Sequence, residues 1–173
     1  MKGMIVVRVD KCLGCKSCEL ACAVEHSKTK ELLQAINEDV APQSRVTVEQ
    51  GCRFAVPLQC RQCENAPCIA ICPTHALYRA DKDSPVVIDH GLCIGCKWCI
   101  LACPFGVITL DSEGKTITKC DQCFERVERG ELPACVSACP THALQYKTLD
   151  EVISEKREAT LLQIERSLSG DDK

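Results

Sequence analysis

Residues 93–104 read CIGCKWCILACP, which sets Cys93, Cys96, Cys99 and Cys103 two, two and three residues apart ahead of Pro104. A loop with that spacing brings three sulfurs onto three irons of one cubane. Tetrahedral zinc has no use for a third cysteine so placed. The chain reads as helical from Lys97, so Cys103 rises one turn beyond Cys99 and leaves the first cluster for a neighbouring one. Pro104 closes the helix, lacking an N–H and disfavouring helical geometry in the residue before it.

Three further runs share the pattern. Cys12, Cys15, Cys18 and Cys22 repeat the spacing of two, two and three, with Ala23 in place of the proline, which lets a helix continue through Val24, Glu25 and His26. Cys60, Cys63, Cys68 and Cys72 are spaced two, four and three before Pro73; Cys120, Cys123, Cys135 and Cys139 are spaced two, eleven and three before Pro140. Sixteen of the seventeen cysteines thus fall in four runs of four, the number of ligands that four [4Fe–4S] clusters require. The spacing implies that the fourth cysteines cross over between runs and leaves open which runs pair. Residues 72–77 and 139–144 both read CPTHAL, a direct repeat that implies duplicated cluster modules.

The remaining composition suits such a centre. Cysteine at about a tenth of 173 residues means a disulfide scaffold or a metal protein. The N-terminal MKGMIVVRVDKC has no apolar run of signal-peptide length, so the thiols are expected to be reduced, metal-bound and cytoplasmic. No stretch approaches the roughly 20 apolar residues of a membrane span, so membrane association would go through a partner. Aromatics are only 3% of the chain, which makes the clusters the core and couples folding to binding them. Sixteen thiolates and four cores of about +2 add roughly −8 to the formal −3, and that acidic sum argues against a nucleic-acid partner.

These loops need elements to hold them. Met4 to Asp10 is rich in β-branched residues and predicts a strand. Lys28 to Val40 predicts a helix with Leu32, Leu33 and Ile36 on one face, closed by Pro42, and Arg45 to Glu49 alternates as a strand does. Two hairpins flank the central run. One passes from CPTHALYR through a turn at Asp81 to Pro85 into Val86 to His90; the other joins GVITL to KTITK across Asp111 to Gly114. The gap between Cys123 and Cys135 predicts a short helix ending near Gly130. Thr148 to Glu151 has the form of a capping box, and Val152 to Leu168 predicts a charged surface helix whose broken apolar stripe packs on the body, with partner docking as the second reading.

With these motifs, Met4 to Lys147 resembles the four-cluster ferredoxin-like subunits of oxidoreductases. These include the electron-transfer subunits of dimethyl sulfoxide reductase and formate dehydrogenase, the hydrogenase-linked subunits of formate hydrogenlyase and the iron–sulfur partner of carbon monoxide dehydrogenase. ELACAVEHSK, Glu19 to Lys28, and CRQCENAPC, Cys60 to Cys68, look most like the last of these and the small subunits of tungsten aldehyde oxidoreductases. The resemblance implies an α+β fold in which two bacterial-ferredoxin-like modules, made of short β-hairpins and short helices, wrap four clusters. Residues 1–26 with 111–147 would form the first module and residues 60–110 the second, with residues 27–59 an insertion and residues 148–173 a C-terminal helix and tail.

The resemblance also implies nested pairing of the runs. Cys12, Cys15 and Cys18 would share a cluster with Cys139, and Cys120, Cys123 and Cys135 one with Cys22. Cys60, Cys63 and Cys68 would join Cys103, and Cys93, Cys96 and Cys99 would join Cys72. Some members of the family replace one ligand and hold a three-iron cluster; here every position is cysteine, so no iron is left open to a substrate. That implies a non-catalytic subunit. It would relay electrons between a catalytic oxidoreductase subunit (a molybdenum or tungsten enzyme, a carbon monoxide dehydrogenase or a hydrogenase) and a second carrier or membrane subunit. A free-standing soluble polyferredoxin serving several enzymes satisfies the same motifs.

Outside the runs, Cys52 reads as a small buried apolar residue, with a redox or linking role as the second reading. His75 and His142 occupy equivalent places in the two CPTHAL repeats and read as structural hydrogen-bonding groups. Trp98, between two ligands, reads as a water shield or as ordinary packing. Lys16, Arg61, Lys97 and Lys119 adjoin ligands; they either stabilise a reduced, more negative cluster or are exposed charges.

Overall fold

With aromatics at only 3% of the chain, there is little bulk for long packed layers, and most of the elements are short. The computed structural model describes residues 3–169; residues 1–2, which open the first expected module, and 170–173, the end of the expected tail, lie outside the described residues. Strand β1 (Met4–Val7) leads to α1 (Ser17–Glu25), α2 (Leu32–Ala35), β2 (Thr47–Gln50) and β3 (Ala55–Leu58). Then come α3 (Pro67–Ala70), β4 (Leu77–Tyr78), β5 (Val87–Ile88), α4 (Trp98–Ala102), β6 (Thr109–Leu110) and β7 (Ile117–Thr118). The chain closes with α5 (Phe124–Glu128), α6 (Ala134–Ser137), β8 (Leu144–Lys147) and α7 (Leu149–Ser169).

The strands form antiparallel pairs, β1 with β8, β2 with β3, β4 with β5 and β6 with β7, so the class is α+β as expected. Three pairs are local hairpins. The fourth joins distant parts of the chain, setting Val7 opposite Leu144 and Met4 opposite Lys147. Buried residues gather in two sets. One holds Cys18, Cys22 and Cys135 with Val46, Val48, Val136 and Leu144; the other holds Cys68 and Cys99 with Leu77, Val86, Ile108 and Ile117. Helix α1 packs on α6, and α3 on α4.

Several elements depart from expectation. The strand over Met4 to Asp10 stops at Val7, because Val9–Lys11 tightens into a 3-10 turn that delivers the chain to Cys12. The helix over Lys28 to Val40 shrinks to α2. Lys30 has φ 55° and Glu31 is extended, while the Glu38 carboxylate accepts from the N–H groups of Lys28 and Thr29 at 3.3 and 3.0 Å and ties the segment into a loop. Strand β2 begins at Thr47 and pairs with β3, which pattern reading passes over because Pro57 interrupts it. Helix α7 carries the expected cap, with the Glu151 carboxylate accepting from the Thr148 N–H at 2.7 Å and Thr148 Oγ1 from the Glu151 N–H at 3.3 Å. Its stripe does not pack on the body, however. The helix buries no residue and is held near its start by ion pairs of Glu155 with Lys147 and Arg8, while Leu161, Leu162, Ile164 and Leu168 face solvent. Among the described residues no helix is long and apolar enough to cross a membrane.

Candidate metal centres

A run of cysteines converges on one point only if its backbone curls, and these loops curl through left-handed residues. Gly14 and Gly95, at matching places in the first and third runs, have φ of 68° and 67°, and Lys16 and Lys97 follow at 61° and 66°. In the second and fourth runs Gln62 and Gln122 stand at 52° and 60°, and His75 and His142 at 54° and 51°. A side chain in this region costs about 1–2 kcal/mol, so each such position must be held by what surrounds it. Matching angles thus recur in runs one and three and again in runs two and four, except that Cys123, at 50°, has no left-handed counterpart at Cys63.

The cysteines meet across these loops. Cys12, Cys15, Cys18 and Cys139 line one cavity with Val48, Pro57 and Leu144. Cys93, Cys96, Cys99 and Cys72 line another with Leu77, Ile88 and Ile117. In both, three cysteines belong to one run and the fourth opens a distant CPTHAL. Burial pushes the Cys135 thiol far up, and Cys120, Cys22, Cys123 and Cys18 add to the rise by like charge. Burial also raises Cys68; Lys119 opposes it, and Cys60 and Cys103 reinforce it. Cys18 and Cys99 are each raised to about 11, by burial first, with Cys139 adding at Cys18 and with Cys96 and Cys68 adding at Cys99. Buried thiols that repel one another as thiolates fit a multi-iron core, whose cations remove that penalty on binding.

Cys72 and Cys139 behave differently. Burial raises both thiols. The N–H groups of Leu77, Thr74 and Ala76 and the Thr74 hydroxyl nevertheless hold Cys72 below its ordinary value, and Leu144, Thr141 and Ala143 do the same for Cys139. The Ala143 N–H donates to Cys139 Sγ at 3.2 Å. Thr74 Oγ1 lies 3.8 Å from Cys72 Sγ, and Thr141 Oγ1 3.9 Å from Cys139 Sγ. His75 and His142 supply the turn that folds these groups over the sulfur. Each N–H donates to the carbonyl of its cysteine, at 3.3 and 3.2 Å, while both imidazoles are exposed. The hydrogen bond expected of the histidine side chains is therefore made by the backbone.

A network beside Cys22 has no counterpart in the sequence reading. The Arg45 N–H donates to Cys22 Sγ at 3.2 Å, His26 Nδ1 to the Cys22 carbonyl at 2.8 Å, and His26 Nε2 to Asp121 at 3.3 Å. Arg45 Nη1 reaches the other Asp121 oxygen at 2.6 Å. Burial disfavours the imidazolium, yet the bonds to Asp121 and Cys22 raise His26 to about 9. Burial likewise opposes the Asp121 carboxylate, and His26 and Arg45 pull it well below the usual range. The end of α1 is thus tied to the loop of the fourth run; the one signal in the sequence is that Asp121 lies between two ligands.

The isolated residues divide. Cys52 is exposed in the β2–β3 turn, not buried as expected, because the turn projects it away from both buried sets. Trp98 is 54% exposed, which leaves little of it to shield anything. Lys16, Arg61 and Lys97 face solvent, whereas Lys119 is buried.

Comparison with known proteins agrees with this chemistry. The family model described as a 4Fe-4S dicluster domain matches residues 52–149. The chain is 42% identical over 176 residues to an iron-sulfur protein of Rhodospirillum rubrum, covering 95% of this chain and 92% of the relative. It is 38% identical over 180 residues to the electron transport protein HydN of Escherichia coli, covering 94% and 99%. To the thiosulfate reductase electron transfer subunit PhsB of Salmonella typhi it is 39% identical over 142 residues, covering 82% and 73%.

Proposed function

The chain belongs to the 4Fe-4S dicluster domain family, and from that premise we propose that it is a non-catalytic, cytoplasmic electron-transfer subunit holding four [4Fe–4S] clusters. Such a cluster takes up and returns one electron without bonding to a substrate. The observation that carries the reading is the crossing of runs at two cavities, Cys12, Cys15 and Cys18 with Cys139, and Cys93, Cys96 and Cys99 with Cys72. The same crossing is proposed for Cys120, Cys123 and Cys135 with Cys22, and for Cys60, Cys63 and Cys68 with Cys103; the like-charge influence of these neighbours on Cys135 and Cys68 supports it.

Two modules follow from that ligand scheme. The pairing of β1 with β8 and the packing of α1 on α6 support one from residues 1–26 and 111–147; the β4–β5 hairpin and the packing of α3 on α4 support the other, residues 60–110. Residues 27–59 insert against the first through Val46, Val48 and Ala55, and residues 148–173 form the C-terminal helix and tail. The order proposed for the four sets is a line. Cys18 acts on Cys135, Lys119 on both Cys120 and Cys68, and Cys68 on Cys99. The outer sets are then those with the exposed Cys15 and Cys96, where a catalytic oxidoreductase subunit and a second carrier or membrane subunit would dock.

Iron and labile sulfide on anaerobically purified protein, followed by EPR during stepwise reduction, test the reading. The expected result is about sixteen irons per chain with interacting S = 1/2 signals, and a large cofactor-bearing protein that co-purifies. Stoichiometric zinc without sulfide overturns the electron-transfer reading, and a monomer that reduces several unrelated enzymes replaces the subunit with a free carrier.

A further inference from the structure

Lys119 precedes Cys120 and is 2% exposed, unlike the other cations beside the cysteine runs. Its Nζ donates to the carbonyl oxygens of Val86 and of Cys120, the latter at 2.7 Å. Both acceptors are neutral, and among the described residues no carboxylate pairs with it. A buried ammonium needs an anionic counterpart to offset its lost hydration. What flanks it is cysteine on both sides. Cys120 belongs with Cys22, Cys123 and Cys135, while Val86 lies in the buried set of Cys68, against which Cys63 and Cys103 pack.

Gln62 spans the same two points. Its Nε2 donates to the Cys120 carbonyl at 3.0 Å, and its Oε1 accepts from the Val86 N–H at 2.8 Å. The seam between the two inner cysteine sets is therefore a fixed polar bridge with one cation at its centre.

We propose that Lys119 is a potential-setting residue, whose ammonium in the seam between the inner cysteine sets stabilises an added electron on either side and so raises the reduction potential of both. The proposal rests on the four-cluster reading above. Transfer across the seam moves one electron and no proton: the donor side is oxidised and loses one negative charge, the acceptor side is reduced and gains it. A cation already in place lowers the energy of the electron on both sides.

Redox-poised EPR of the anaerobic, iron-loaded protein tests this in Lys119→Met, Lys119→Gln and Lys119→Arg, with Lys156→Met, on the exposed face of α7, as a control for loss of a surface charge. The Met and Gln variants should each lower the midpoint of two of the four signals by at least tenfold in the reduction equilibrium, about 59 mV for one electron. Arg should restore them, and Lys156→Met should move none. Gln keeps a donor and loses the charge, so it separates the two effects; if the Met variant fails to load iron, Gln against Arg carries the test. Unchanged midpoints in a fully loaded Gln variant overturn the proposal, as does an Arg variant shifted as far as Gln. A wild-type protein without about sixteen irons overturns the four-cluster reading instead, and the iron assay shows this before any titration begins.

Discussion

Gly14 and Gly95 share a place in their loops but not a neighbour. A Cβ on Gly95 would stand 2.2 Å from the Lys115 carbonyl oxygen, which is backbone; on Gly14 it would meet Ala55 Cβ at 3.2 Å and the end of the Gln50 side chain at 3.3 Å. Both alanine variants bear the left-handed cost of about 1–2 kcal/mol, and only Gly95→Ala adds a backbone clash. Thermal melts and iron content should therefore show Gly95→Ala the more damaged, with a loss confined to one cluster. The CPTHAL threonines divide similarly. Thr141 Oγ1 already donates to the Lys11 carbonyl at 2.7 Å, while among the described residues the Thr74 hydroxyl has only Cys72 as partner. Thr74→Val is expected to lower the potential of one signal at little cost in stability; Thr141→Val should cost about 1 kcal/mol and shift the potential less. Residue types at this scale were legible where spacing carries meaning, as in the C-x-x-C loops. His26, Arg45 and Asp121 were not, because their partners lie 76 and 95 residues apart along the chain.

Elements were legible where local chemistry decides them. The β6–β7 hairpin was readable because its turn is self-contained: Gly114 takes φ 70°, and the Asp111 carboxylate accepts from the N–H groups of Lys115 and Thr116 at 2.8 and 3.0 Å. The helix expected over Lys28 to Val40 had a suitable stripe and nothing to bury it against, as Leu33 at 75% and Ile36 at 69% exposure show. A short amphipathic segment without such a surface does not stay helical. Helix α7 keeps its helicity by length and by its cap. Deleting residues 159–173 should accordingly remove helical signal from far-UV circular dichroism while leaving iron content and Tm close to the full chain's. Thr148→Ala should fray the helix start at a cost of about 1 kcal/mol. A truncation that released iron would show α7 to be part of the body.

At the scale of the whole molecule, distant parts of the chain are closed on each other. Strand β8 returns beside β1, and the Thr141 hydroxyl reaches the Lys11 carbonyl, which brings Cys139 into the loop of the first run. Spacing could announce that a fourth cysteine leaves its run, but the partner it finds depends on strand pairings more than a hundred residues apart, which no local pattern carries. Single cysteine substitutions read that arrangement directly. Cys139→Ser should alter the same EPR signal as Cys15→Ser, and Cys22→Ser the same signal as Cys120→Ser, because each pair would share a cluster although its members come from different runs. If signals instead sort by run, with Cys139→Ser and Cys120→Ser acting on one and Cys22→Ser and Cys15→Ser on another, the nested arrangement is wrong. The first and fourth runs would then hold separate clusters, kept together only by the β1–β8 pairing and the packing of α1 on α6. Under the nested arrangement, chelating the iron should loosen the pairing of β1 with β8 together with the clusters, since the two sets shared by the first and fourth runs would help to hold the two ends of the chain in contact.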